Sequence, residues 1–179
     1  MQINDSQIKR IVKGDQNAFR LFMDMYSKDL FFFAQGYVNS RETAEEIVSD
    51  VFLEVWHNRQ ALDQIRSIKS WLLTIVRNRA ISYLRKTSVN HSVISFDSIE
   101  DFFLPAVVSP DEQIISKEEI ENINRAINNL SPKCKEVFLL AKFEKLPYKE
   151  IAKMLNISVK TIDVHIANAI QKISEILYK

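Results

Sequence analysis

Along most of this chain apolar residues recur at spacings of three and four, the signature of amphipathic helices, and this predicts an all-α protein. A short helix is expected over residues 7–13. Gly14 suits the left-handed position that ends it, and Asp15 can cap the next one. That second helix runs from about residue 16 toward 38, with Phe19, Phe22, Met23, Tyr26, Leu30, Phe33 and Tyr37 on its apolar face. Asn39 and Ser40 break it. A third helix, about 42–57, carries Ile47, Val48, Val51, Phe52, Val55 and Trp56 inward. Residues 58–66 read as a polar loop. Ser67 can cap a fourth helix through about residue 86, with Trp71, Leu72, Ile75, Val76, Ala80 and Leu84 inward.

The pattern changes at residue 87. Residues 87–112 are rich in Ser and Asp, contain Pro105 and Pro110, and show no sustained helical period. They read as a linker, although Val93, Ile94, Phe96, Ile99, Phe102, Phe103 and Leu104 are too apolar for a solvated tether. From residue 113 the period returns with Ile120, Ile123, Ile127 and Leu130, and Ser131-Pro132 starts a further helix. Two small helical domains are therefore expected, 1–88 and 113–179, joined by a linker over 89–112. The second ends in a helix-turn-helix: helix 148–155, turn 156–158, helix 159–170. Asn156 stands at the turn, where it tolerates the left-handed conformation.

Composition narrows the class. Two glycines and four prolines in 179 residues, with 46% hydrophobic residues, argue against a many-stranded β protein, whose tight hairpins need glycine. No apolar run approaches the ~18 residues of a membrane span, so direct membrane insertion is not expected. Residues 1–5 lack the basic start of a signal peptide, and the single cysteine, Cys134, suits a reducing cytoplasm and a small buried position.

Net charge is +1, but it is segregated. Residues 1–63 carry 7 basic and 10 acidic side chains, and residues 64–96 carry 6 basic and none acidic. Residues 97–121 carry one basic and 8 acidic, and residues 122–179 carry 10 basic and 5 acidic. Such blocks occur by chance on solvated faces; they also suit two nucleic-acid contacts separated by an acidic tether.

Candidate contacts follow from the helical spacing. In the last helix Ile162, Ile166, Ile170, Ile173 and Leu177 form the stripe expected to face the core. The opposite stripe holds Lys160, Thr161, Val164, His165, Asn168 and Lys172. Asn can pair with adenine edges, Val can touch a thymine methyl, and Lys can reach guanine or phosphate. An ordinary helical hairpin with a polar face has the same spacing, and Asp163 puts a negative charge near the reading face. The fourth helix places Arg77, Asn78, Arg79, Ser82, Arg85 and Lys86 in a segment with no compensating acid, which points to phosphate contacts. On the third helix Glu46, Asp50 and Glu54, four apart, make one acidic stripe. It is either a solvated face or a dock for a basic partner. Most of the aromatics Phe31, Phe32, Phe33, Tyr37, Trp56 and Trp71 are expected in the core, because they fall on helical apolar stripes; for those near the 58–67 loop stacking on unpaired bases is open. His57, His91 and His165 are scattered, and no phosphate loop, catalytic triad or carboxylate pair stands out. No metal, cofactor, small-molecule substrate or catalytic residue is expected.

Four segments together resemble the extracytoplasmic-function group of bacterial sigma factors, compact members of the sigma-70 family. They are residues 15–19 (DQNAF), 44–56 (AEEIVSDVFLEVW), 71–85 (WLLTIVRNRAISYLR), and 130–132 (LSP) through Ile151-Ala152. The resemblance covers nearly the whole chain. It implies a cytoplasmic, non-enzymatic factor that binds core RNA polymerase and directs promoter recognition and DNA opening. In the family the acidic helix docks on the clamp helices of the polymerase β′ subunit, which would assign that role to Glu46, Asp50 and Glu54. The 58–67 loop and the fourth helix would hold the opened minus-ten element, and the helix-turn-helix would read the minus-thirty-five element beside the β flap. An anti-sigma partner is implied as well. The family often has Gln at the position of Ser49 and Asp at that of Ser82, so promoter sequence does not transfer. The helix-turn-helix also resembles that of two-component regulators, but those predict an α/β receiver where this chain offers long helices. A helical adaptor binding only protein would leave the acid-free block unexplained.

Overall fold

Asn4 opens the first helix with a reciprocal cap: its side chain accepts from the Gln7 N–H, and the Gln7 side chain accepts from the Asn4 N–H. The helix therefore starts earlier than the apolar pattern suggests, α1 spanning Asp5–Val12. Gly14 takes φ +88°, the left-handed position expected of it. Asp15 then caps α2, Gln16–Val38, its carboxylate accepting the Ala18 N–H at 3.0 Å and pairing with Arg10 at 2.8 Å. Those two contacts, the Ala18 N–H first, hold the Asp15 carboxyl below its ordinary pKa.

The computed structural model describes residues 3–38, 40–87 and 117–177. The expected linker 89–112, the apolar residues in it, His91 and residues 113–116 lie outside the described residues, as do Asn39 and the side chain of Ile120. Two compact units result, one in residues 1–88 and one in residues 89–179. Every described element in them is helical, with no strand among the described residues.

In the first unit α2 packs on α3, Arg41–His57, and on α4, Ile68–Thr87. Ser40 caps α3 through the Thr43 N–H. Phe19, Phe22, Tyr26, Leu30, Phe33 and Tyr37 from α2 meet Ile47, Val48, Val51, Phe52 and Val55 from α3, as the spacing predicts. Phe22 sets its ring edge-on to Phe52 at 6.2 Å. From α4 the buried residues are Ile68, Leu72, Leu73, Val76 and Ala80; Trp71, Ile75 and Leu84 are only half-buried. The supposed polar loop is a 3-10 helix, Arg59–Gln64, seated on α1. Leu62, 1% exposed, anchors it, and six residues are too few to establish a helical period in the sequence.

The second unit has α5 (Lys117–Asn128), α6 (Pro132–Lys142), α7 (Tyr148–Leu155) and α8 (Val159–Leu177). Pro132 occupies the first turn of α6, after Ser131 at the cap. Ile127, Leu130, Cys134 and Ala169 form a buried cluster, with Ile123, Phe138 and Ile173 against it. Both α5 and α6 pack on α8.

Candidate functional site

Asn156 makes the turn of the helix-turn-helix with φ +53° and ψ +46°. The Ile157 N–H bonds the Ala152 carbonyl at 3.0 Å, which terminates α7, and the small Ala152 is buried where the two helices approach. Ser158 then caps α8, its hydroxyl accepting the Thr161 N–H at 3.0 Å. With both ends of the turn bonded, α8 leaves α7 in one defined direction.

Burying Ile162 and Ile166 contributes roughly 1.5–3 kcal/mol each and orients α8. The inward stripe then departs from the expected one. Ala169 is buried, whereas Ile170 is 51% exposed and Leu177 is exposed, because a 3.6-residue helix drifts off a fixed three–four spacing. The opposite face presents Lys160, Val164, Asn168 and Lys172 to solvent, with Asp163 also exposed. Thr161 and His165 are half-buried. The Thr161 hydroxyl bonds that of Ser158 at 2.8 Å, and the His165 carbonyl accepts the Cys134 thiol at 3.1 Å. Burial, and then the charge of Lys133 on α6, pushes the His165 pKa down. Burial also raises that of the Cys134 thiol. Lys133 thus stands beside α8, a neighbour that the sequence of the last helix by itself could not supply.

In the first unit the fourth-helix residues divide. Asn78, Ser82, Arg85 and Lys86 are exposed, and Arg77 is half-buried. Arg79 is engaged by acids. Its Nη2 lies 2.7 Å and its Nε 3.2 Å from Glu54 Oε2, and its Nη1 lies 3.0 Å from Asp50 Oδ2. The absence of compensating acid holds within α4 alone: α3 supplies two carboxylates to Arg79, and α2 supplies Asp29 to Lys69 at 3.1 Å. Each such half-exposed pair contributes about 0–1 kcal/mol. Glu46, Asp50 and Glu54 do lie along one face, but the two later members point toward α4. Glu46 is exposed.

Beside that stripe, α2 and α3 leave an apolar groove of about 580 Å³ lined by Phe19, Met23, Phe52, Leu53 and Trp56, among others. Leu53 stands 57% exposed at its edge, and Phe32 on α2 is likewise exposed. At the start of the 3-10 helix Arg59 lies over the Trp56 ring at 4.7 Å and donates to the Trp56 carbonyl. The Trp56 ring also packs on Phe19, so it is tied into the fold on both sides. Tyr83, exposed on α4, shares a hydrogen bond with Thr43.

These two units coincide with two recognised sequence families. Residues 22–89 match sigma-70 region 2, and residues 120–173 match sigma-70 region 4. The RNA polymerase sigma factor NccH of Alcaligenes xylosoxydans xylosoxydans is 25% identical over 176 residues, covering 98% of this chain and 95% of that protein. The ECF RNA polymerase sigma factor SigW of Bacillus subtilis is 26% identical over 166 residues, covering 89% of each. Among solved structures, the sigma factor RpoE of Bartonella quintana, in complex with the anti-sigma factor NepR, superposes with a TM-score of 0.64 at 22% identity. That match covers 89% of this chain and 96% of the other.

Proposed function

This chain belongs to the sigma-70 family, in its extracytoplasmic-function group, and from that premise we infer how its surfaces divide the work of starting transcription. It is a sigma factor that directs core RNA polymerase to promoters. Residues 1–88 dock on the polymerase β′ clamp helices and bind the minus-ten element, residues 89–112 link, and residues 113–179 read the minus-thirty-five element near the β flap.

Within that scheme Glu46, Asp50 and Glu54, with the adjoining apolar groove, meet the clamp helices. A row of carboxylates to one side of an apolar groove suits a basic amphipathic helix pair, the charges setting encounter rate and register while the groove supplies buried area. Arg77, Asn78, Ser82, Arg85 and Lys86 hold the minus-ten strands, with Arg79 drawn in from its ion pairs. Lys160, Val164, Asn168 and Lys172 reach base edges and phosphates of the upstream element, while Thr161 and His165 sit at the margin of that face. Opening the duplex is binding work. Capture of unstacked bases offsets their unpairing, so no cofactor need be consumed.

Sigma factors are in general non-enzymatic initiation factors, and this chain is read as no enzyme itself. Among the described residues no helix is long and apolar enough to cross a membrane. The proposed work is that of the bacterial cytoplasm, because it is done on core polymerase and promoter DNA. RpoE was solved with an anti-sigma factor, and the shared fold supports a partner of that kind here.

The observation that carries this reading is the order of the two family segments, each on its own helical unit. Region 2 bears an acid-faced helix beside a basic one, and region 4 bears a capped helix-turn-helix with an open polar face. Run-off transcription with purified core polymerase and genomic DNA tests it. New specific transcripts are expected only when this protein is added; no transcripts and no co-elution with core enzyme would refute the reading.

A further inference from the structure

Arg79 joins two surfaces that the proposed function assigns to different partners. It belongs to the basic helix α4, yet three of its nitrogens face Asp50 and Glu54 of the acidic helix α3. The three side chains remain 37%, 52% and 38% exposed, so water and solutes reach the pairs. Carboxylate and phosphate offer a guanidinium the same paired-oxygen geometry, and the two compete for it.

We propose that Asp50 and Glu54 are an internal decoy for Arg79. In the free protein they occupy its guanidinium, and a cationic protein partner docking on the acidic stripe releases it to a nucleic-acid phosphate. The proposal rests on the reading that α3 meets the polymerase and α4 meets DNA. It adds that the two contacts are coupled. A basic group brought to Asp50 or Glu54 weakens their hold on Arg79. By reciprocity, a phosphate that takes Arg79 strengthens the stripe for that basic group by the same factor. The sigma factor thus withholds one cation from nucleic acid until its partner is in place. Glu46 touches no cation of α4 in the structure and serves the partner alone.

The test needs the full-length protein, fluorescein-labelled single-stranded DNA, and no polymerase. Anisotropy titrations over a salt series compare wild type with Asp50→Asn/Glu54→Gln, each in the native and the Arg79→Gln background. In the native background the acid-to-amide pair is expected to tighten binding about three- to tenfold and to steepen the salt slope by about 0.7, one further phosphate contact. In the Arg79→Gln background the gain should vanish. An equal gain in both backgrounds would mean that loss of negative charge alone is responsible, and would overturn the proposal. No gain in the native background would overturn it too. Glu54→Gln alone supplies the same comparison should the double change unsettle the fold. Run-off transcription judges the functional reading separately: an active wild type with no gain in anisotropy defeats the coupling and leaves the sigma role standing.

Discussion

The Arg79 guanidinium lies 2.7 Å from the Glu54 carboxylate, so a cation expected on DNA and an anion expected on a protein partner hold each other. Asp50 completes the arrangement from one turn earlier on α3, at 3.0 Å. The pairing makes the two faces of the first unit interdependent and bears on how variants there are read.

Asp50→Lys should weaken binding to core polymerase roughly tenfold or more, because it replaces an attractive interface charge by a repulsive one. It also sets a cation beside Arg79, so a thermal melt must accompany the binding curve. A pull-down with core enzyme that retains wild-type affinity would remove Asp50 from the docking face.

Arg77→Ala combined with Arg85→Ala should impair promoter opening more than duplex binding. Each lost phosphate contact lowers the salt slope by about 0.9 on duplex and about 0.7 on a single strand. Permanganate footprinting reads the opened thymines directly. An undiminished bubble would contradict the assignment.

Asn168→Ala should weaken upstream-element binding by roughly 1–3 kcal/mol if the amide makes a bidentate base contact. Asn168 is exposed on the open face of α8, so the change should leave the melting temperature in place. A promoter-mutant profile identical to wild type would exclude it from readout.

Asn156→Val should destabilise the C-terminal unit by about 1–2 kcal/mol, since a β-branched side chain is strained at φ +53°. Asn156→Gly should be neutral or better. Denaturant unfolding measures both, and equal stability for the valine variant would mean that the turn relaxes to another conformation.

Acid should weaken the protein through His165. Its folded pKa is depressed by burial and by Lys133, so the unfolded chain binds the proton more readily. The contribution is fully present above the ordinary value of about 6.5 and is lost as pH falls through it toward the lower folded value. Stability measured between pH 5 and 8 should decline on the acid side less steeply in His165→Gln than in wild type. Parallel curves would show that other groups account for the decline.

Much of the fold was legible because burial on a helix leaves a period. Most of the faces of α2 and α3, the left-handed Gly14 and Asn156, the Asp15 cap and the buried Cys134 stand where their side-chain chemistry puts them, Met23 and Trp56 being only half-buried. The 3-10 helix at Arg59–Gln64 was not legible, because a six-residue element is too short to display a period. The exposure of Ile170 was not legible either, because the contact with α5 and α6 is made by Ala169, whose small side chain does not stand out in a pattern of isoleucines.

The sequence by itself determined the helices, the helix-turn-helix and the membership in the sigma-70 family, because these depend on residues near one another in the chain. Tertiary structure alone decided the partnership of charges. Arg79 is separated by 25 residues from Glu54 and by 29 from Asp50, and only the packing of α3 on α4 brings them within hydrogen-bond distance. Lys133 reaches His165 across a comparable gap, by the packing of α6 on α8. Electrostatic interaction falls off with distance in space and is blind to distance along the chain, so a run without acids can still lie against a row of them.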